Sequence, residues 1–123
     1  MNAKYILIGQ SPVPCDDPLE WAEWFETADR RVAATSCWLG LVWVSTVFLG
    51  LDHSFARARG EQDTPPLLFE SMAFWGREGG WDCARCSTWQ QAEAQHLAMV
   101  AETRRPRALL AWLVRQARAT WRP

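Results

Sequence analysis

No stretch of this 123-residue chain is apolar for long enough to cross a bilayer. The longest candidate, residues 37–51, is broken by Ser45, Thr46 and two glycines, whereas a spanning helix needs roughly 20 continuous apolar residues. The N-terminus carries only the short run Tyr5-Ile6-Leu7-Ile8 after Lys4. That is too brief for the apolar region of a secretory signal, so a cytosolic address is the expectation. Lysine is nearly missing: of 13 basic residues only Lys4 is not an arginine. Acidic residues are missing altogether after Glu102. There is no Walker loop, no dinucleotide-binding fingerprint, no HExxH motif and no nucleophile elbow, which removes the usual signatures of nucleotide-dependent and hydrolytic enzymes.

What is present is an ordinary globular composition, 49% apolar, in a chain of one-domain size that can bury a single core. The net charge of −1 hides a segregation. Asp16, Asp17, Glu20, Glu23, Glu26 and Asp29 crowd one early segment, while Arg104, Arg105, Arg107, Arg115, Arg118 and Arg122 crowd the end. Nine tryptophans are spread between them.

Residues 4–8 predict a short strand and residues 11–15 a proline-containing turn. Asp17-Pro18 predicts a helix start, an Asp cap followed by proline at the first helical position, where its missing N–H costs nothing. The helix that follows places Trp21, Trp24, Phe25, Ala28 and Val32 on one arc and Glu20, Glu23, Glu26 and Arg30 on the other, with Glu26 and Arg30 spaced as a pair. Residues 43–51 and 67–75 are rich in β-branched and aromatic side chains and predict two buried strands that pair antiparallel across a polar loop at 52–64. Gly76 to Gly80 reads as a turn and residues 81–86 as a third paired strand.

Ser87 or Thr88 caps the next helix, Ser87 with Gln90 having capping-box spacing. Its inward face is Trp89, Ala92, His96, Met99 and Val100. Pro106 interrupts the pattern, so a kink or a new helix begins there, and the last helix runs over residues 107–121. There Leu109, Leu110, Leu113, Val114, Ala117 and Trp121 form the apolar arc, with Trp112 off it and Arg107, Arg115, Arg118 and Arg122 along its edge. The expected class is α+β: one domain over residues 1–123, with a small antiparallel sheet of three or four strands packed against amphipathic helices.

Four features could carry chemistry. Cys83-x-x-Cys86 has the spacing of half a zinc site, but zinc wants four ligands and Cys15, Cys37, His53 and His96 stand apart in the sequence. Strand alternation would also send the two thiols to opposite faces, so no metal or other cofactor is expected. His53, His96 and Glu70 could form an acid–base cluster. Against that, His53 can satisfy a loop carbonyl and His96 can be a hydrogen-bonded core histidine, with no nucleophile or anion cradle beside them. No catalytic residue is therefore assigned. The Arg-rich last helix suits phosphates, yet a charged stripe is also the ordinary solvated face of a helix. Nine tryptophans exceed what a small core needs, and Trp with Arg is the pairing enriched in protein interfaces. Trp75, Arg77, Trp81, Arg107, Trp112, Arg115, Arg118 and Arg122 are accordingly the candidate interaction surface.

One resemblance adds to this. Val44-Ser45-Thr46-Val47-Phe48-Leu49-Gly50-Leu51-Asp52-His53, followed by Pro65-Pro66-Leu67-Leu68-Phe69-Glu70, is similar to a pattern in small proteins of bacteriophages and prophages. Lys4-Tyr5-Ile6-Leu7, the Trp21–Ala22–Trp24–Phe25 segment and the helix carrying Ser87, Thr88, Trp89 and His96 resemble the same proteins, so the likeness spans most of residues 4–100. It implies a phage-type accessory protein without catalytic residues to carry over, acting in the host cell cytoplasm. The chain departs from the pattern at 37–41, at 56–64 and after Pro106, where a partner of its own would be engaged. The expected function is binding of a host protein, with inhibition of an antiviral defence complex, as anti-CRISPR proteins do, as a concrete version. Nucleic-acid binding by the last helix is the alternative, and a small metal protein or hydrolase is the second. No membrane partner is expected, and the opposite charges of the first and last helices suit a homodimer as well as a chain folded on itself.

Overall fold

Residues 3–61, 63–77 and 80–121 are described by a computed structural model, the side chains of Phe55, Ala58, Gly80 and Trp81 excepted. Four consecutive strands organise it. β3 (Arg31–Cys37), β4 (Val42–Phe48), β5 (Phe69–Trp75) and β6 (Gly80–Cys86) pair antiparallel in chain order. The central pair forms as expected, but it is buried on one face only: Val42, Val44, Thr46 and Phe48 are buried, and so are Phe69, Ser71, Ala73 and Trp75. The register sets Val44 opposite Ala73 and Phe48 opposite Phe69, which puts both sets on one face. Helix α3 (Trp89–Thr103) lies across that face and supplies Ala92, His96, Val100 and Thr103. The arrangement is an α+β fold.

The remaining elements close the two ends of the sheet. At one end a hairpin of β1 (Tyr5–Ile8) and β2 (Ser11–Pro14) and the helix α1 (Pro18–Thr27) surround Phe48 and Phe69. Tyr5 N donates to Gly50 O at 2.9 Å, and Trp21 Nε1 donates to the carbonyls of Tyr5 and Gly50 at 3.0 and 3.1 Å. At the other end α4 (Pro106–Thr120) covers a cluster of Cys37, Val42, Val44, Ala73, Trp75 and Val100.

A one-turn helix, α2 (Phe55–Ala58), starts the long loop between β4 and β5. The buried Asp52 carboxylate draws that loop together. It accepts from Ser54 N at 2.8 Å, Leu67 N at 3.0 Å and Arg57 Nε at 2.8 Å, and Arg57 also donates to Thr64 O at 2.9 Å.

Several expectations are corrected. Residues 11–14 are a strand rather than a turn, paired with β1 in a register that sets Pro12 opposite Leu7 and Pro14 opposite Tyr5. Cys15 N donates to Lys4 O, so the prolines take the alternate positions that donate nothing to the ladder. The first helix stops at Thr27, and Val32 belongs to the edge strand β3. Arg30 does not pair with Glu26: its guanidinium sits 3.8 Å from the Phe25 ring centroid and donates to Phe48 O. The capping box of α3 is Thr88 with Gln91, one residue later than Ser87 with Gln90.

Candidate functional site

The largest correction falls on α4. Leu110, Leu113, Val114 and Trp121, expected inside, are 62, 47, 41 and 72% exposed. The helix is seated instead by Ala108, Leu109 and Trp112. Trp112 stacks on Trp75 with ring centroids 6.1 Å apart. Gly76, at φ +59°, leaves the space: a Cβ there would meet Trp112 Cζ2 at 3.3 Å. The physical reason is shape. One indole and a small Ala108 fill the shallow seat that Gly76 and Trp75 form at the sheet end, and the broader leucine arc is left outside.

This placement divides the candidate surface residues. Trp75 is buried at 3% exposure and presents no surface, and Trp112, packed against it, is partly buried. Trp121, expected in the core, is out in solvent. Arg77, Arg107, Arg115 and Arg118 are exposed. Arg107 is held by Glu102 at 3.0 Å, as is Arg105 at 3.1 Å. Arg115 lines a recess with Trp75, Asp82 and Glu102. The Trp81 side chain, Glu78, Gly79 and Arg122 lie outside the described residues.

At about 100° per residue, Leu110, Leu113, Val114, Ala117 and Trp121 fall within one arc of about 100°, roughly opposite Trp112. Their spacing of i, i+3, i+4, i+7 and i+11 is that of anchors on a helix that lies in a groove. Arg107 and Arg118 border the arc on one side. Val114, Ala117, Arg118 and Trp121 line an open notch of about 530 Å³, with the small Ala117 between its two bulky neighbours. These stripe residues were missed as surface because the pattern shows that a helix is amphipathic without showing which face a shallow seat accepts. The signal available was Trp112 itself, a large apolar side chain off the main arc, which means that one of two apolar faces has to stay uncovered.

At the same end of the sheet the β3–β4 turn holds Trp38 and Leu39 at φ +52° and +55°, a region that bulky side chains seldom occupy. Trp38 is fastened there by its Nε1, which donates to Thr103 O at 2.7 Å, while Leu39 at the tip is fully exposed.

The histidines are not brought together. His53 Nδ1 meets Leu51 O at 2.8 Å, a local loop contact. His96 is buried, with Nε2 2.8 Å from Thr35 Oγ1 and Nδ1 2.8 Å from Thr46 Oγ1, and Thr46 Oγ1 is 2.7 Å from Ser71 Oγ. A neutral imidazole offers one donor and one acceptor, and the two threonine hydroxyls match both. Burial holds the His96 pKa below its ordinary value. His96 reaches the floor of a groove of about 320 Å³ lined by Gln10, Val32, Trp89, Glu93 and Leu97, but its two ring nitrogens are engaged inward.

Glu70 is on the opposite face of the sheet, bound to Arg85 Nε at 2.9 Å. Cys83 shares that face and Cys86 the inner one, as alternation requires. Burial, then the Glu70 hydrogen bond and charge, push the Cys83 thiol up, and burial does the same to Cys86. Among the described residues no cluster of His, Cys, Asp or Glu is arranged to hold a metal ion. No described helix is long and apolar enough to cross a membrane.

Comparisons with protein-family models, curated proteins and solved structures return no match. The sheet's outer face also carries apolar side chains, Trp43, Met72 and Phe74, with the Glu70–Arg85 pair at one end, but of these only Trp43 is well exposed. The α4 stripe brings together four exposed large apolar side chains on one helix.

Proposed function

We propose that this protein is a non-enzymatic accessory protein of the bacteriophage type. It acts in the host cytoplasm by docking on a host protein, with inhibition of an antiviral defence complex as the concrete form of that action. The observation that carries the reading is the outward stripe of α4. A helix that holds itself to its domain by Trp112 while exposing Leu110, Leu113, Val114 and Trp121 presents a ready-made binding face. Covering what is exposed of these four side chains is worth on the order of 4 kcal/mol before ordering costs, about a thousandfold in affinity. The resemblance to small phage proteins supplies the class, and the stripe lies in the part of the chain that departs from their shared pattern. The nucleic-acid alternative draws less support, because the stripe that α4 exposes, Leu110, Leu113, Val114 and Trp121, is apolar and phosphates offer it nothing to bury against.

The test places a photo-crosslinking benzoylphenylalanine at position 117 in the stripe and, in a second protein, at position 23 on the acidic surface of α1. In host cells a single stoichiometric adduct is expected from 117 and none from 23, and Leu113→Glu should abolish it. No adduct at 117, or the same adducts from both positions, overturns the reading.

A further inference from the structure

Resting on the docking role proposed above, we infer that the surface received by α4 is an apolar protein groove with an acidic rim. It takes Leu110, Leu113, Val114 and Trp121 along its floor and sets a carboxylate against Arg118, and another against Arg107 in exchange for its exposed Glu102 partner. Charge is the first argument. Arg104, Arg105, Arg107, Arg115 and Arg118 accompany the stripe, and no acid follows Glu102 anywhere in the sequence. Arg118 lines the notch itself, beside Val114, Ala117 and Trp121, so whatever fills the notch meets a guanidinium at its edge. A guanidinium fork there is matched by a carboxylate.

Shape is the second argument. The small Ala117 lies between the larger Val114 and Trp121, which leaves room for a protruding side chain of a structured partner. The arginines border only one side of the stripe, because the other side turns toward the seat formed by Leu109 and Trp112. A helix lying flat on lipid turns a basic polar face to water opposite its apolar one, whereas the side of α4 away from the stripe is packed on the domain through Ala108, Leu109 and Trp112.

A second copy of the chain fits poorly. The commonest pairing is two-fold, and an antiparallel two-fold pairing of α4 with itself lays the Arg107–Arg118 border of one copy along the same border of the other. Like charges so placed disfavour association. The acidic helix α1 of another copy has the complementary sign, but its aromatic side, Trp21, Trp24 and Phe25, is turned into its own domain. Of its large apolar side chains only Leu19 stands out.

The experiment uses the full chain and two fluorescein-labelled synthetic helical-hairpin peptides with the same leucine-lined groove, one rimmed by glutamate and the other by lysine. Fluorescence anisotropy should show the glutamate hairpin binding about tenfold tighter, with the difference shrinking as salt is raised. Arg107→Glu with Arg118→Glu should reverse the order, a gain that misfolding cannot mimic. Leu113→Glu should lose both peptides.

Equal, Leu113-dependent binding of the two hairpins overturns the acidic rim and leaves the docking role standing. Binding of neither overturns the inference, and the cross-link at position 117 then decides the docking role separately. Leu113-dependent sedimentation with phosphatidylserine vesicles, without preference between the peptides, assigns the stripe to a membrane surface instead. A doubled mass by light scattering that Leu113→Glu abolishes assigns it to a second copy.

Discussion

Replacing Trp112 by alanine and, separately, its neighbour Leu113 by alanine asks which face of α4 fastens the helix. Trp112 lies over Trp75 and Gly76 and contacts the cluster around Val42 and Val100. Truncating a buried tryptophan costs about 3–5 kcal/mol. Two details lower the figure here. The side chain is only partly buried, and its Nε1 is enclosed without a hydrogen-bond partner, a loss that truncation removes. The expected cost is about 2–3 kcal/mol. Leu113 is 47% exposed, and alanine is the better helix former, so its truncation should stay within about 0.5 kcal/mol. Urea unfolding followed by circular dichroism gives both values under the same conditions. In thermal melts the contrast is a fall of roughly 8–12 °C against less than about 2 °C. Trp112→Phe, which keeps a ring on Trp75 and discards the orphaned N–H, should cost about 1 kcal/mol or less. A loss for Leu113→Ala equal to that for Trp112→Ala would place the leucine arc inside and remove the basis of the docking surface.

Burial lowers the His96 pKa, so as pH falls below about 6.5 the unfolded chain binds a proton that the native ring resists. Stability is full above that value and declines as pH falls toward the lowered native pKa. Urea midpoints should show this slope, and His96→Gln should flatten it. Thr46→Val removes the hydroxyl between His96 and Ser71 and should cost about 1–3 kcal/mol by calorimetry, since two buried partners lose their bond. Asp52→Ala releases Arg57 and two backbone N–H groups, with an expected cost of about 2–4 kcal/mol and faster proteolysis within residues 52–67. Cys83 should be alkylated slowly near neutral pH and faster in Glu70→Gln, because Glu70 contributes to its raised pKa through both hydrogen bond and charge. Mass spectrometry of iodoacetamide-treated protein measures both rates.

The central strands were legible because β4 and β5 carry Val, Phe and Trp, side chains that favour a pleated surface, while the face each buries was not, since apolar residues fall on both faces. β3 was not, because its Ala33, Ala34 and Ser36 carry little strand preference while Val32 continues the i, i+4 spacing of Trp24 and Ala28. β2 was hidden by Pro12 and Pro14, which signal a turn until the pairing with β1 shows that they sit where no N–H is needed. Of the proposed docking surface, Arg107 and Arg118 could be named from charge alone. Leu110, Leu113, Val114 and Trp121 could not, since the rotation of α4 about its axis is set by the Gly76 recess, and Gly76 is 36 residues away from Trp112 in sequence but against it in space.

Asp52 has a consequence for how this chain can be altered. By binding the backbone of Ser54 and of Leu67 with one carboxylate, it fastens the two ends of the β4–β5 connection independently of what lies between them. A loop closed at its neck pays only about 0.6 kcal/mol for each doubling of length. Residues 59–61 are thus a place where insertions, affinity tags or a reporter domain can enter without disturbing the sheet register on either side.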